Sequence, residues 1–166
     1  MGVVSTKATA ISNRDSSPKV LNNSRISKGA LQSFVGVVEA ASDDSAGSKY
    51  FFGSIPSNAR VSNILLSCDG AGTNTAMDIG LYKSTLNGGA VVDADLFASA
   101  QALGTALVKS SVLHESAVFG IEDSEKPLWE ALGLTADPLI DYDVVGTITT
   151  AADSADTIVI EGIYVI

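Results

Sequence analysis

The sequence predicts an all-β protein, a jelly-roll-like β-sandwich of about eight antiparallel strands with two short helices and an extended N-terminal arm. Three observations predict it. From residue 34 onward, short β-favouring runs alternate with turn clusters rich in Gly, Asn, Asp and Pro, the spacing expected of sandwiches and barrels. Within several runs the apolar residues recur every second position, as Met77, Ile79 and Leu81 do, which buries one face of a strand. The count is about eight, the number that builds two jelly-roll sheets. No internal repeat of about 20 to 50 residues is visible, which disfavours propellers and solenoids.

The chain divides into an arm, residues 1–33, and a sandwich domain, residues 34–166. The arm is rich in Ser, Asn and Thr, and its turn clusters Asn13-Arg14-Asp15-Ser16-Ser17-Pro18 and Asn22-Asn23-Ser24 separate apolar residues that follow no period. Such a segment buries too little apolar surface to offset the entropy of ordering it alone. Strands are expected at 34–41, 49–55 and 60–68, then around Met77, Ile79 and Leu81. Residues 93–103 carry Leu96, Phe97, Ala100 and Leu103 at helix-compatible spacings, with Asp93 as a cap and Gly104 as a stop, and predict a short helix. Strands follow at 106–109 and 112–119. A second short helix is expected at 122–132, with acids in its first turn, Pro127 near its start and Gly133 as its stop. Residues 139–149 and 157–166 are β-branched runs joined by a short polar linker. They predict an antiparallel hairpin that holds the last strand in the sheet.

Composition narrows the function classes. The 166 residues are 46% hydrophobic and only 17% charged, unlike a disordered chain. No apolar run reaches the roughly 18 to 20 residues of a membrane helix, and residues 1–10 lack a signal-peptide core. Met1-Gly2-Val3-Val4-Ser5-Thr6 matches a myristoylation pattern that fixes few positions, and chance accounts for it. Charge is split along the chain. The arm holds Lys7, Arg14, Lys19, Arg25 and Lys28 against Asp15, a net of +4. The remainder holds five bases against 18 acids, a net of −13, for a total of −9. A basic arm on an acidic body is an interaction layout, and the body would repel phosphates, so no nucleic-acid partner is expected.

The residues that carry chemistry are few. Cys68, the only cysteine, sits beside an apolar run and reads as a buried thiol. His114 is the only histidine, which excludes a histidine-rich metal site and makes a Cys68–His114 dyad a remote reading. Asp93 and Asp95, Asp141 and Asp143, and Asp43-Asp44 are paired acids, too few for the roughly six to eight oxygen ligands of calcium. A paired-carboxylate glycosidase would want sugar-stacking aromatics, and the single tryptophan, Trp129, falls on a core-like helix face. There is no G-x-S-x-G, Walker or G-x-G-x-x-G sequence. The expectation is a protein without catalytic role or cofactor.

Several segments resemble the small structural proteins encoded beside the major capsid protein in tailed bacteriophages, the head decoration or cement proteins. They are Ile55-Pro56-Ser57-Asn58-Ala59-Arg60-Val61, Asp78-Ile79-Gly80-Leu81-Tyr82, Gly88-Gly89-Ala90-Val91-Val92-Asp93-Ala94-Asp95-Leu96-Phe97-Ala98 and Leu128-Trp129-Glu130-Ala131-Leu132-Gly133-Leu134, with the opening Asn13-Arg14-Asp15 and Pro18-Lys19-Val20. The resemblance implies a jelly-roll-like body on the outer capsid surface, bound to the major capsid protein and to copies of itself as dimers or trimers. The interface expectation comes from charge. Arg14, Lys19, Arg25 and Lys28 would meet acidic patches, while Val20, Leu21, Ile26 and Leu31 would fill small pockets. The alternative is a tail- or fibre-associated module, possibly carbohydrate-binding, since jelly rolls also serve as lectins.

Overall fold

The computed structural model describes residues 4–166; Gly2, the acceptor of the myristoylation pattern, lies outside them. Eight strands follow one short helix, α1 (Thr9–Asp15). They are β1 (Leu31–Ala40), β2 (Lys49–Pro56), β3 (Arg60–Cys68), β4 (Ala76–Lys83), β5 (Val91–Ala102), β6 (Leu107–Ser111), β7 (Asp141–Thr150) and β8 (Asp156–Val165). One sheet has the order β1-β8-β3-β6 and the other β2-β7-β4-β5, all antiparallel. β1 pairs with β8, β2 with β7, β3 with β6 and β4 with β5. A single antiparallel ribbon rolled onto itself gives this order, so the sandwich is a jelly roll.

Alternation explains the core. Ile64 and Leu66 of β3 and Ile158 and Ile160 of β8 face Ile79 and Leu81 of β4 and Val144 and Ile148 of β7, and all are buried. Their intervening neighbours on β3 and β8 turn to the other face and are less buried. The strands expected at 34–41, 49–55 and 60–68 are present as β1, β2 and β3, with β1 starting three residues early at Leu31.

Four local expectations are corrected. Residues 93–103 are strand β5, not a helix, and Asp93 pairs across to Leu81 instead of capping. Between the pairs Ile79–Ala98 and Leu81–Asp93, two steps on β4 match five on β5. These extra residues bulge and leave Leu96, Phe97 and Ala98 all buried in succession. The bulge erased the two-residue period and left a spacing that mimics a helix. Residues 112–119 are a loop of turns, held to β5 by Ser116 N–H on the Phe97 carbonyl at 3.1 Å and Phe119 N–H on the Leu96 carbonyl at 3.1 Å. The helix expected at 122–132 is split into a 3-10 turn, Ile121–Asp123, and α2 (Leu128–Ala131). Pro127 stands in extended backbone just before α2, where its missing N–H costs nothing, and Gly133 ends the turn at φ +72°.

The fourth correction concerns β7 and β8. They form no hairpin: each is an inner strand of a different sheet, and residues 151–155 cross between sheets. Asp156 fixes that corner. Its side chain is buried at 2% exposure, and one carboxylate oxygen accepts from the Asp69 and Gly70 N–H groups at 2.8 and 3.0 Å. The other oxygen is buried without a partner among the described residues.

Burial pushes the Asp156 carboxyl up, and Asp69 and Glu39 add to it against the two N–H bonds. Burial raises Asp93 and Asp143 in the same way. The folded chain therefore holds these protons more tightly than the unfolded chain. Stability should rise as pH falls from neutrality to the unfolded carboxylate value of about 3.9. Below it, Asp15 and Asp44, which hydrogen bonds from Arg14 and Tyr50 hold low, lose their charge and stability falls. Denaturation midpoints across this range should trace that rise and fall, and Asp156→Asn should flatten the rising limb. An unchanged limb in the variant would remove Asp156 from the account.

Candidate functional site

The eight residues expected to meet a partner all lie at one end of the sandwich. Helix α1 has seven residues, none buried, and no side-chain cap, so it is too short to persist on propensity alone. Side chains staple it to the segment after it. Asn13 donates to the Asn22 side chain at 2.9 Å, Asn22 donates to the Ala10 carbonyl at 3.1 Å, and the Ser16 hydroxyl accepts from Val20 N–H at 3.1 Å. Lys7 and Arg14 both reach Asp15 at 2.8 Å and hold its carboxyl below the usual range. Those pairs are exposed and worth little.

The folded-back arm encloses a groove of about 460 Å³ lined by Ala10, Ile11, Arg14, Lys19, Val20, Leu21, Asn22, Ser27 and Lys28. Five of the eight expected residues are thus brought together: Arg14, Lys19, Val20, Leu21 and Lys28. The other three serve elsewhere. Arg25 anchors the arm, its carbonyl accepting from Arg60 Nε at 2.7 Å, while its own Nε is buried without a partner among the described residues. Ile26 is half-buried beside it. Leu31 is the first residue of β1 and begins an exposed apolar row, Leu31, Val35 and Val37, on the outer face of an edge strand.

A second hollow at the same end escaped the sequence reading. The turn after β2 organises it. The buried Ser57 donates its hydroxyl to Asp137, accepts from Ile140 N–H at 3.2 Å, and donates its own N–H to the Ile140 carbonyl at 2.8 Å. Leu128 N–H and Trp129 N–H bond the carbonyls of Ala59 and Ser57. This clamp holds residues 128–140 over the ends of β4, β5 and β7, leaving a cavity of about 560 Å³. Its walls are Val92, Leu96, Val118, Ala131, Leu132, Leu134, Pro138 and Ile140, with Lys83, Asp93 and Tyr142 as polar members. Tyr142 is only 2% exposed, and its hydroxyl has no hydrogen bond among the described residues. Burial raises the Tyr142 hydroxyl and Asp137 adds to it; burial, then Asp95, raises the Asp93 carboxyl. The available signal was the apolar set Leu132, Leu134, Pro138 and Ile140 in a segment without helix or strand period.

The remaining chemical side chains are occupied structurally. Cys68 is buried at the end of β3, its Sγ 3.6 Å from the Thr105 carbonyl, and burial pushes the thiol up, away from the thiolate a nucleophile needs. His114 places Nδ1 2.8 Å from the Phe119 carbonyl and stacks on the Phe119 ring. Asp44 is engaged by Tyr50 and by Ala41 N–H. Among the described residues, no three His, Cys, Asp or Glu side chains gather as metal ligands do.

No protein-family model matches the sequence, and no curated protein matches it. A solved structure does. The fold is similar to that of a chain in the cyanophage Pam1 capsid asymmetric unit, with a TM-score of 0.53 and 15% identity over 83% of this chain and 86% of that one. At that identity the likeness is one of fold, and it covers most of both chains.

Proposed function

We propose that this chain is a structural protein of a bacteriophage head, a decoration or cement subunit that binds the outer capsid surface and ties major capsid protein subunits together. The observation that carries the proposal is the likeness in fold to a capsid chain over most of both lengths. The arm supports it. Exposed Leu21, Val20 and Leu31 offer apolar anchors, each worth about 1.5 to 3 kcal/mol when fully buried, and Lys19 and Lys28, in no ion pair among the described residues, offer charge. Repetition over a shell multiplies such weak contacts into avidity. The role is binding, with no catalysis: the one thiol is buried and the one imidazole is held on a backbone carbonyl. The location that follows is the virion.

A carbohydrate-binding tail module would display aromatics in a cleft. Among the described residues Phe51 is the one exposed aromatic, and it stands on an edge strand away from both cavities, so no observation favours that reading.

Removal of residues 1–29 leaves β1 intact. The truncated sandwich should remain folded by circular dichroism yet bind heads roughly 100-fold more weakly in co-sedimentation. Normal decoration by the truncated protein would remove the arm from the interface.

A further inference from the structure

The sandwich has four edge strands, β1 and β6 in one sheet and β2 and β5 in the other. An edge strand offers a row of unpaired backbone groups to any second strand, and folded chains blunt it with bulges, Pro, Lys, short length or a covering loop. Three of the four are blunted here. β6 is five residues long and carries Lys109 at φ +48°. β2 opens on Lys49, ends on Pro56 and bulges between Phe51 and Gly53. β5 bulges repeatedly and is covered by the 112–120 loop. β1 has none of these devices. It keeps one unbroken register with β8 over ten residues, contains no Pro, Lys or Arg, and carries a single charge, Glu39.

The backbone on the free side of β1 can be read from its ladder. The Ile166 N–H bonds the Ala30 carbonyl at 3.3 Å, one step beyond the pair Leu31–Val165. Bonded and unbonded pairs alternate along an antiparallel ladder. Phe34, Gly36 and Val38 therefore bond β8, and the N–H and C=O groups of Ser33, Val35 and Val37 point to the open side. β2 approaches from the core face, through the space a Gly36 side chain would fill, and among the described residues no strand pairs with that side. Val35 and Val37 stand on the outer face, 62% and 61% exposed.

We propose that β1 pairs antiparallel with β1 of a second copy of this chain, about a two-fold axis at Gly36, joining two four-stranded sheets into one. The side chains select that partner and that register. With Gly36 facing its own copy, Val35 stands opposite Val37 and Ser33 opposite Glu39, apolar against apolar and polar against polar. A slip of two residues either way engages the same backbone groups but sets Glu39 against Leu31 or against Val35. Charge agrees. Two bodies of net −13 repel each other, and they can approach along Leu31 to Val38, a stretch without charge. On the neighbouring β8, Glu161 is already paired with Lys109 at 3.0 Å. The pairing needs no capsid.

Cross-linking of the full chain tests partner and register together. In a bonded pair the Cα atoms lie about 5.5 Å apart, within disulfide reach. Val35→Cys mixed with Val37→Cys and mildly oxidised should form the mixed dimer about tenfold faster than either variant links to itself, while Cys68 stays buried. Equal rates, or a faster Val35→Cys self-link, overturn the inference. Sedimentation gives a second measurement. The parent should run as a dimer. Val35→Pro removes an N–H that β8 does not use, so it should keep the circular dichroism spectrum and weaken the dimer at least about tenfold. Val108→Lys, on the blunted β6 edge, should leave the dimer intact. Equal weakening by the two, or a parent that is monomeric at every concentration, overturns the inference. A monomer that still binds heads leaves the proposed function standing. A dimer with no affinity for heads supports the pairing and sinks that function.

Discussion

Phe97→Ala is expected to destabilise the fold by about 3 to 5 kcal/mol, the range for deleting a buried aromatic ring. The ring has no solvent exposure and meets Phe119 edge-to-face at 5.8 Å between centroids. Phe119 in turn stacks on His114 at 5.6 Å. The loss therefore combines a cavity in the sandwich with the detachment of the 112–120 loop, whose N–H groups bond the carbonyls of Leu96 and Phe97. Urea unfolding should show a lower midpoint with an unchanged slope, and limited proteolysis should begin to cut within 112–120. Val108→Ala, on an exposed side chain of β6, should stay within about 0.5 kcal/mol. A Phe97→Ala loss under about 1 kcal/mol would show that the loop carries its own stability.

Gly80→Ala should cost about 3 kcal/mol, although adding a methyl to a strand glycine ordinarily stabilises. The β5 bulge explains the reversal. Its backbone at Asp93 and Ala94 lies directly over Gly80, and a Cβ there would overlap main-chain atoms that no side-chain rotation relieves. Either β5 lifts and opens its pairing with β4, or the centre of the sheet strains, and overpacking of this kind costs about 1 to 3 kcal/mol and occasionally more. The unfolding midpoint measures it. A variant as stable as the parent would mean that the bulge yields freely.

These two residues also mark how far the sequence could be read. Where a strand pairs regularly, its apolar period is intact: Tyr142, Val144 and Ile148, or Ile158 and Ile160, identify their faces directly. Where a bulge inserts residues, as between Ala98 and Asp93, the period breaks and a strand reads as a helix. Partner choice was illegible for a different reason. A short linker suggests a hairpin, but β7 and β8 are each flanked by two other strands, and those non-local pairings outweigh the local one. At the candidate site, charge marked the basic arm, and five of its eight expected residues share one groove. The mainly aliphatic cavity was hidden because it is assembled from four separated stretches, brought together by the Ser57 clamp.

The rolled ribbon makes the molecule two-faced in a practical sense. The start of β1, the end of β8, the clamp and the long 112–140 connection leave from one pole, while among the described residues the opposite pole carries the short joints 41–48, 69–75, 103–106 and 151–155. A passenger peptide grafted beside Gly47, where nothing stands within 4 Å of the backbone's open side, would project from the pole remote from the arm. A passenger inserted within the arm would crowd the contacts it was meant to report.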